Sequence, residues 1–374
     1  MTDAANGGSA DRDAAEPPPV VREARPADAD AVAAFTRDTW GERQEDYIPS
    51  VFPRWAASED PDRGTFVATL PPAAVEGSEA VAERDDRTEG DTLVEGDGTG
   101  AAAPGEPEAV VGCIQGVLLS EWEAWGQGIR VDPAARGFGV GTALSTAALD
   151  WARDRGATVC RNMVFSWNVA GLGQSRAVGF EPATEFRFAE PEPAAEADVD
   201  VANDPAEAAD SEADGLRGID DPDPNAAWAF WADSDARDHL GGLALDDEES
   251  WACAALTRER LRDAADEGRL LAVGDADALA GFAVRTRVSE RPSDEECGGG
   301  PERVAEYGAA AWRDVDAAGV LYTEIAADAA AVGADATRVL IPETVEHVSD
   351  TGANRVPVAA EPDFVMRADL TGDL

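Results

Sequence analysis

The chain has 374 residues, room for two domains. It carries 30 Lys+Arg against 76 Asp+Glu, a formal net charge of −46, and reading the sequence finds no lysine at all. Such a charge excludes non-specific binding to nucleic acid. Because the acid is spread along the chain, it also suits molar salt, where a Debye length of about 3 Å screens self-repulsion, better than it suits a basic partner.

The cysteines are Cys113, Cys160, Cys253 and Cys297, with no C-x-x-C pair, and the histidines are His239 and His347. No metal is therefore expected. Cys113 and Cys160 sit in apolar runs and read as small buried hydrophobes. No apolar run reaches membrane-spanning length, and the first residues are acidic rather than a signal peptide. The expectations are no membrane partner, a cytoplasmic location, and a monomer or homodimer.

In chain order, residues 1–19 are rich in Ala, Asp, Gly and Pro and read as a disordered tail. Val20–Ala24 reads as a first strand. Asp28 is a candidate N-cap for a helix with Ala31, Val32 and Phe35 on one face. Aromatic residues Trp40, Tyr47, Phe52 and Trp55 follow. Thr65–Leu70 and Ala109–Leu119 read as strands two and three. Between them, residues 71–108 hold eleven acids and two arginines, the composition of a surface insert.

Next come Glu121-Trp122-Glu123-Ala124-Trp125 and the short apolar strand Ile129-Arg130-Val131, closed by Asp132-Pro133. Arg136-Gly137-Phe138-Gly139-Val140-Gly141-Thr142 follows. A helix-period run then places Leu144, Ala148, Trp151 and Ala152 on one face. Strand, glycine loop and helix N-terminus together make an anion site, since free N–H groups and the helix dipole point the same way. The spacing is neither G-x-G-x-x-G nor a P-loop, because no Gly-Lys-Ser/Thr follows. Thr158–Phe165 reads as the next strand, then Asn168, then Ser175-Arg176-Ala177-Val178-Gly179-Phe180.

Val-Asp-Pro, Arg-x-x-Gly-x-Gly, strand, Asn and Gly-Phe in this order resemble the GNAT superfamily of N-acetyltransferases, here of a haloarchaeal type, over roughly residues 20–190. The resemblance implies an α/β (α+β) fold: a mixed, mostly antiparallel twisted sheet flanked by helices. It implies acetyl-CoA as cosubstrate, an amine acceptor, and direct attack of the amine on the thioester. The implied cofactor-binding residues are Ile129, Arg130 and Val131 on the strand, Arg136, Gly137, Phe138, Gly139, Val140, Gly141 and Thr142 in the loop and helix start, and Asn168. Glu123, and less so Glu121, is the candidate general base, because a carboxylate beside tryptophan can be desolvated into useful basicity. Many members have a tyrosine seven residues after the Asn as general acid. Serine stands there in this chain, so Ser175 is expected to do no more than position the sulfur. The rival class is a non-catalytic acyl-CoA-binding regulatory module.

Residues 190–224, with thirteen acids and one arginine, read as a linker. Beyond it the pattern restarts. Ala226–Trp231 reads as strand-like. Leu270–Val273 and Leu279–Val284 flank a turn as a hairpin. Ala309–Val332 reads as an alanine-rich helix, and Arg338–Ile341 as a strand. Sliding Gly156 onto Gly333 places Asp314 on Gly137, Asp316 on Gly139 and Ala318 on Gly141. The expected organisation is an acetyltransferase domain at 20–189 and a degenerate second copy at 225–374. Carboxylates where a pyrophosphate should sit would bar CoA from the second copy.

Overall fold

The computed structural model describes residues 17–37, 39–41, 46–75, 108–194, 215–276, 278–291 and 301–372. Most of the expected tail (1–16 of 1–19), most of the acidic insert (76–107), the middle of the linker (195–214) and Cys297 lie outside the described residues. The chain forms two compact units, Met1–Leu118 with Gly126–Gly156, and Leu119–Trp125 with Ala157–Leu374. Compactness thus divides the chain at other points than the repeat pattern does.

The first unit opens with β1 (Val20–Glu23), α1 (Ala29–Thr36), α2 (Ile48–Ala56), β2 (Arg63–Leu70) and β3 (Ala109–Leu118). β4 (Glu123–Val131) contributes its residues from Gly126 on, and α3 (Val140–Asp154) completes the unit. β1, β2 and β3 pair antiparallel, with β4 beside β3. α3 lies against β2 and β3 through the indole of Trp151. A Cβ at Gly64 or Gly116 would come within 3 Å of that ring, so both strand positions are glycine because the helix packs so close. Val32, Ile48, Phe52, Trp55, Val67 and Cys113 form a separate buried cluster with α1 and α2.

The second unit contains β5 (Val159–Phe165), α4 (Val169–Ala177), β6 (Glu181–Ala189), β7 (Arg217–Gly218), α5 (Pro224–Ala232), α6 (Asp235–Leu240), β8 (Leu243–Leu245), β9 (Cys253–Ala255) and α7 (Arg258–Asp266). Then come β10 (Leu270–Gly274), β11 (Leu279–Arg291), β12 (Glu302–Trp312), α8 (Val315–Ala331), β13 (Ala336–Pro342), α9 (Val345–Ala353) and β14 (Asp363–Asp369). Its strand order is β5-β14-β6-β13-β12-β11-β10-β7, with Glu123–Trp125 of β4 parallel to β5.

Two segments differ from expectation. Ala226–Trp231 is helical, not extended: Pro224 at the helix start and the Asp223 carboxylate, accepting from Asn225 N–H, set a helix that the aromatic content masked. Ala309–Ala311 belongs to β12 rather than to a long helix. Alanine is permitted in a buried strand, and Asp314 starts the helix only at Val315.

The two halves repeat one topology. β4 runs parallel to β5, and β12 runs parallel to β13. β13 and β5 share the same bounds after the shift of 177 residues that carries Gly156 to Gly333. The last strand of each half pairs antiparallel with the other half's parallel strand, β14 with β5 and β6 with β13. This exchange is why β5 and β6 are compact with residues far beyond 189.

Candidate functional site

In the first unit, β4 is not a regular strand. Gly128 has φ +65°, and a Cβ there would lie 2.7 Å from the Trp55 ring and 2.9 Å from Ile48. Its carbonyl accepts a weak bond from the Cys113 thiol at 3.7 Å. A kink inside a strand re-aims the residues that follow, here Ile129, Arg130 and Val131. Gly128 is a position the sequence reading missed. The signal was present, since an isolated glycine inside a strand pattern marks a bulge or close approach.

Arg130 was expected to help bind the cofactor, but its side chain is committed elsewhere. Nε and Nη2 donate to Asp46 Oδ2 and Oδ1 at 2.6 and 3.0 Å, and Nη1 donates to the Ile129 carbonyl at 2.9 Å. The guanidinium also stacks 4.7 Å from the Trp40 ring. These hydrogen bonds take three of the five guanidinium N–H donors and fix the side chain on Asp46. Further back, Gln127 donates to Gln115 at 2.9 Å and Gln115 to Thr65 at 3.0 Å, a buried chain that fixes β4 against its neighbours.

Asp132 accepts from Ala134 N–H at 2.9 Å and turns the chain at Pro133. Arg136 is exposed, and its side chain makes no hydrogen bond or ion pair among the described residues. Gly137 and Gly139 have φ +89° and +71°, and a Cβ on either would meet nothing within 4 Å. The loop backbone therefore borders open space. Gly139 is the N-cap of α3 and supplies no side-chain cap. Every later α-helix, α4 to α9, has a side chain accepting from its first turn: Asn168, Asp223, Ser234, Thr257, Asp314 and Thr344. Leaving α3 without one keeps its positive end available to an anion. Gly141 and Thr142 lie inside the first turn of the helix, which begins at Val140.

In the second unit, the remaining candidates have other partners. Glu123 is 3% exposed. Its Oε1 accepts from Arg161 Nη1 at 2.6 Å and from Ala255 N–H at 3.1 Å, and its Oε2 accepts from Ser120 Oγ at 3.3 Å. A general base needs a lone pair facing the substrate's proton. The ion pair and two hydrogen bonds take three of the four acceptor positions of the Glu123 carboxylate and leave one on Oε2. Ser175 is 3% exposed and accepts from Asn162 Nδ2 at 3.2 Å, the setting of a core hydroxyl. Asn168 Oδ1 accepts from Gly171 N–H at 3.0 Å as the cap of α4.

Burial pushes the Cys113 and Cys253 thiols up to about 12, and neither is disposed to react. Among the described residues, no group of three His, Cys, Asp or Glu could hold a metal, and no helix is long and apolar enough to cross a membrane.

Residues 32–173 match the model of the Acetyltransferase (GNAT) family. A GCN5-related N-acetyltransferase from Sphaerobacter thermophilus matches 95% of this chain with 97% of its own, at 12% identity and a TM-score of 0.53. The fold is the GNAT fold. A tandem GNAT protein from the clavulanic acid biosynthesis pathway aligns over 95% of this chain and 100% of its own at 12% identity, with a TM-score of 0.46. A GCN5-related N-acetyltransferase from Kribbella flavida aligns over 93% and 70% at 13% identity, with a TM-score of 0.40. No curated protein matches the sequence. The GNAT family match spans the kinked strand, the glycine loop, all of α3 and Asn168.

Proposed function

We propose that the chain is an acetyl-CoA-dependent N-acetyltransferase that passes the acetyl group to an amine by direct attack. The observation that carries this is the uncapped start of α3 behind Gly137 and Gly139, inside the segment that matches the family. The residues fit the cosubstrate. Two left-handed glycines border open space, Arg136 stands beside them with no hydrogen bond or ion pair among the described residues, and the N-cap Gly139 has no side chain to cap the helix. When bound, acetyl-CoA supplies an activated acyl carbon and a thiolate leaving group. The backbone of Phe138, Gly139 and Val140 would hold its pyrophosphate, and the backbone of Ile129 and Val131 its pantetheine arm.

Neither Glu123 nor Ser175 is assigned a proton-transfer role. A thiol with a pKa of about 8.5 leaves without a strong acid, and the amine's proton passes to water. The test is release of free CoA from acetyl-CoA at molar KCl over a panel of amines, amino acids and peptides. Tight binding with no release for any amine would overturn transfer and leave a binding module.

The second half is proposed not to bind CoA. Asp314 Oδ1 accepts from Ala317 N–H at 2.9 Å, and Arg313 donates to Oδ2 at 2.9 Å. Burial works against its charge, but these two donors hold the Asp314 carboxyl below the usual carboxylate range. The N-terminus of α8 thus already has its anion. Calorimetric titration with acetyl-CoA should give one site per chain, and a value near two would refute it. We also propose a cytoplasmic protein suited to molar salt.

A further inference from the structure

The second unit holds a polar pair that the acetyl-transfer reading does not use. Asp363 of β14 is the register partner of both Phe165 and Phe186, so these three side chains share one face of the sheet. Phe188 lies two residues beyond Phe186. Arg338, two residues before Leu340, the register partner of Phe188, falls on the same face. Trp251 bridges the two ends: its ring is 6.5 Å from Phe165 and 6.2 Å from Phe188, centroid to centroid. The Arg338 guanidinium lies 4.6 Å from both the Phe188 and the Trp251 centroid.

Arg338 and Asp363 differ from their neighbours in lacking partners. Arg161, Arg187, Arg285, Arg287 and Arg291 each make an ion pair with a carboxylate. Among the described residues, Arg338 and Asp363 make no hydrogen bond or ion pair, with each other or with anything else. Nor are their polar atoms sealed from solvent among the unsatisfied buried atoms. The pair therefore borders water-accessible space over an aromatic floor. Trp251 also has φ +66°, one of two non-glycine residues in the left-handed region among the described residues.

The charges are held uncomfortably. Burial pushes Asp363 up to about 6, with Arg338 opposing and Glu361 adding to it. Burial and the neighbouring Arg291 push Arg338 down to about 10, against Glu306, Glu190 and Asp363. Glu306 is already shared between Arg287 and Arg291. A ligand carrying one charge of each sign would relieve both groups. The Phe188 and Trp251 rings stand at 87° to each other, so the Arg338 guanidinium can lie flat on at most one of them, and its edge can receive a carboxylate through two N–H donors.

We propose that Arg338 and Asp363 bind a small amino-carboxylate, in its simplest form an α-amino acid. Its carboxylate accepts from the Arg338 fork, its ammonium donates to Asp363, and the Trp251 ring forms the wall. The assignment does not rest on acetyl transfer and is read without acetyl-CoA. The experiment is calorimetric titration of the full chain at molar KCl with glycine and L-phenylalanine. The controls are N-acetyl-L-phenylalanine, which lacks the ammonium, and L-phenylalaninamide, which lacks the carboxylate.

Binding of at least one amino acid is expected, with each blocked form weaker by about tenfold or more, as loss of one charged hydrogen bond implies. Arg338→Lys keeps the charge and stem but loses the fork, and should weaken L-phenylalanine by about tenfold or more. Asp363→Asn keeps the shape and should bind L-phenylalanine and its N-acetyl form alike. Circular dichroism matching the parent qualifies both variants. No binding of either amino acid by the parent overturns the proposal. So does a blocked form that binds as well as L-phenylalanine, or unchanged affinity in both variants.

Discussion

Replacing Gly139 with aspartate separates the cosubstrate site from the fold. Gly139 has φ +71°, a region in which a non-glycine residue costs roughly 1–2 kcal/mol and aspartate among the least. Its Cβ would meet nothing within 4 Å, so no clash is added. A carboxylate at a helix N-terminus returns about 0.3–1 kcal/mol through the dipole, as Asp314 shows can be accommodated at α8. Net stability should therefore change by no more than about 1 kcal/mol. Binding should suffer far more. Two unit charges about 4 Å apart repel by about 4 kcal/mol near a protein surface. Molar salt trims that, leaving on the order of a hundredfold loss of acetyl-CoA affinity. Calorimetry gives the affinity and urea unfolding gives the stability, both at molar KCl. Parental affinity in a folded Gly139→Asp protein would show that this loop does not hold the pyrophosphate.

Gly128→Ala should be much worse for the fold, because left-handed strain combines with a 2.7 Å approach to the Trp55 ring. The expected loss is about 2–5 kcal/mol, read from the urea midpoint, and a loss under 1 kcal/mol would refute the kink. Burial holds His347 down to about 4 from 6.5 in the folded state, so its contribution is present above pH 6.5 and is lost as pH falls through 4, by about 3 kcal/mol. Asp363, raised from 3.8 to about 6, acts oppositely: its contribution is full below 3.8 and is lost as pH rises through 6, again by about 3 kcal/mol. The two should nearly cancel between pH 4 and 6 in the parent, while His347→Gln should grow less stable with rising pH over that range; a flat profile in the variant would contradict the Asp363 shift. With a formal charge of −46, the melting midpoint should climb steeply from about 0.1 M to molar KCl, and an unchanged midpoint would remove the high-salt reading.

Local chemistry was legible wherever a residue's role depends on its near neighbours in sequence. Asp132-Pro133 had to end a strand, Gly137 and Gly139 had to turn left-handed, and the Leu144–Ala152 spacing had to make a helix. The hairpin of β10 and β11 and the presence of β13, though not its full extent from Ala336 to Pro342, follow from the same short-range rules. The 177-residue offset was legible because helix, glycine and strand recur with the same spacing. Partners drawn from distant parts of the chain were not legible. Glu123 beside Trp122 reads as a desolvated base, and the sequence does not show that Arg161 and the Ala255 N–H, 38 and 132 residues away, both donate to its Oε1. Arg130 reads as a ligand until Asp46, 84 residues back, claims it. Composition alone determined the charge, the lysine-free surface and the expected salt response. Only the tertiary structure decided which charges are already spent, since an ion pair depends on distance in space, and the exchange of β6 and β14 brings together residues that no sequence window spans.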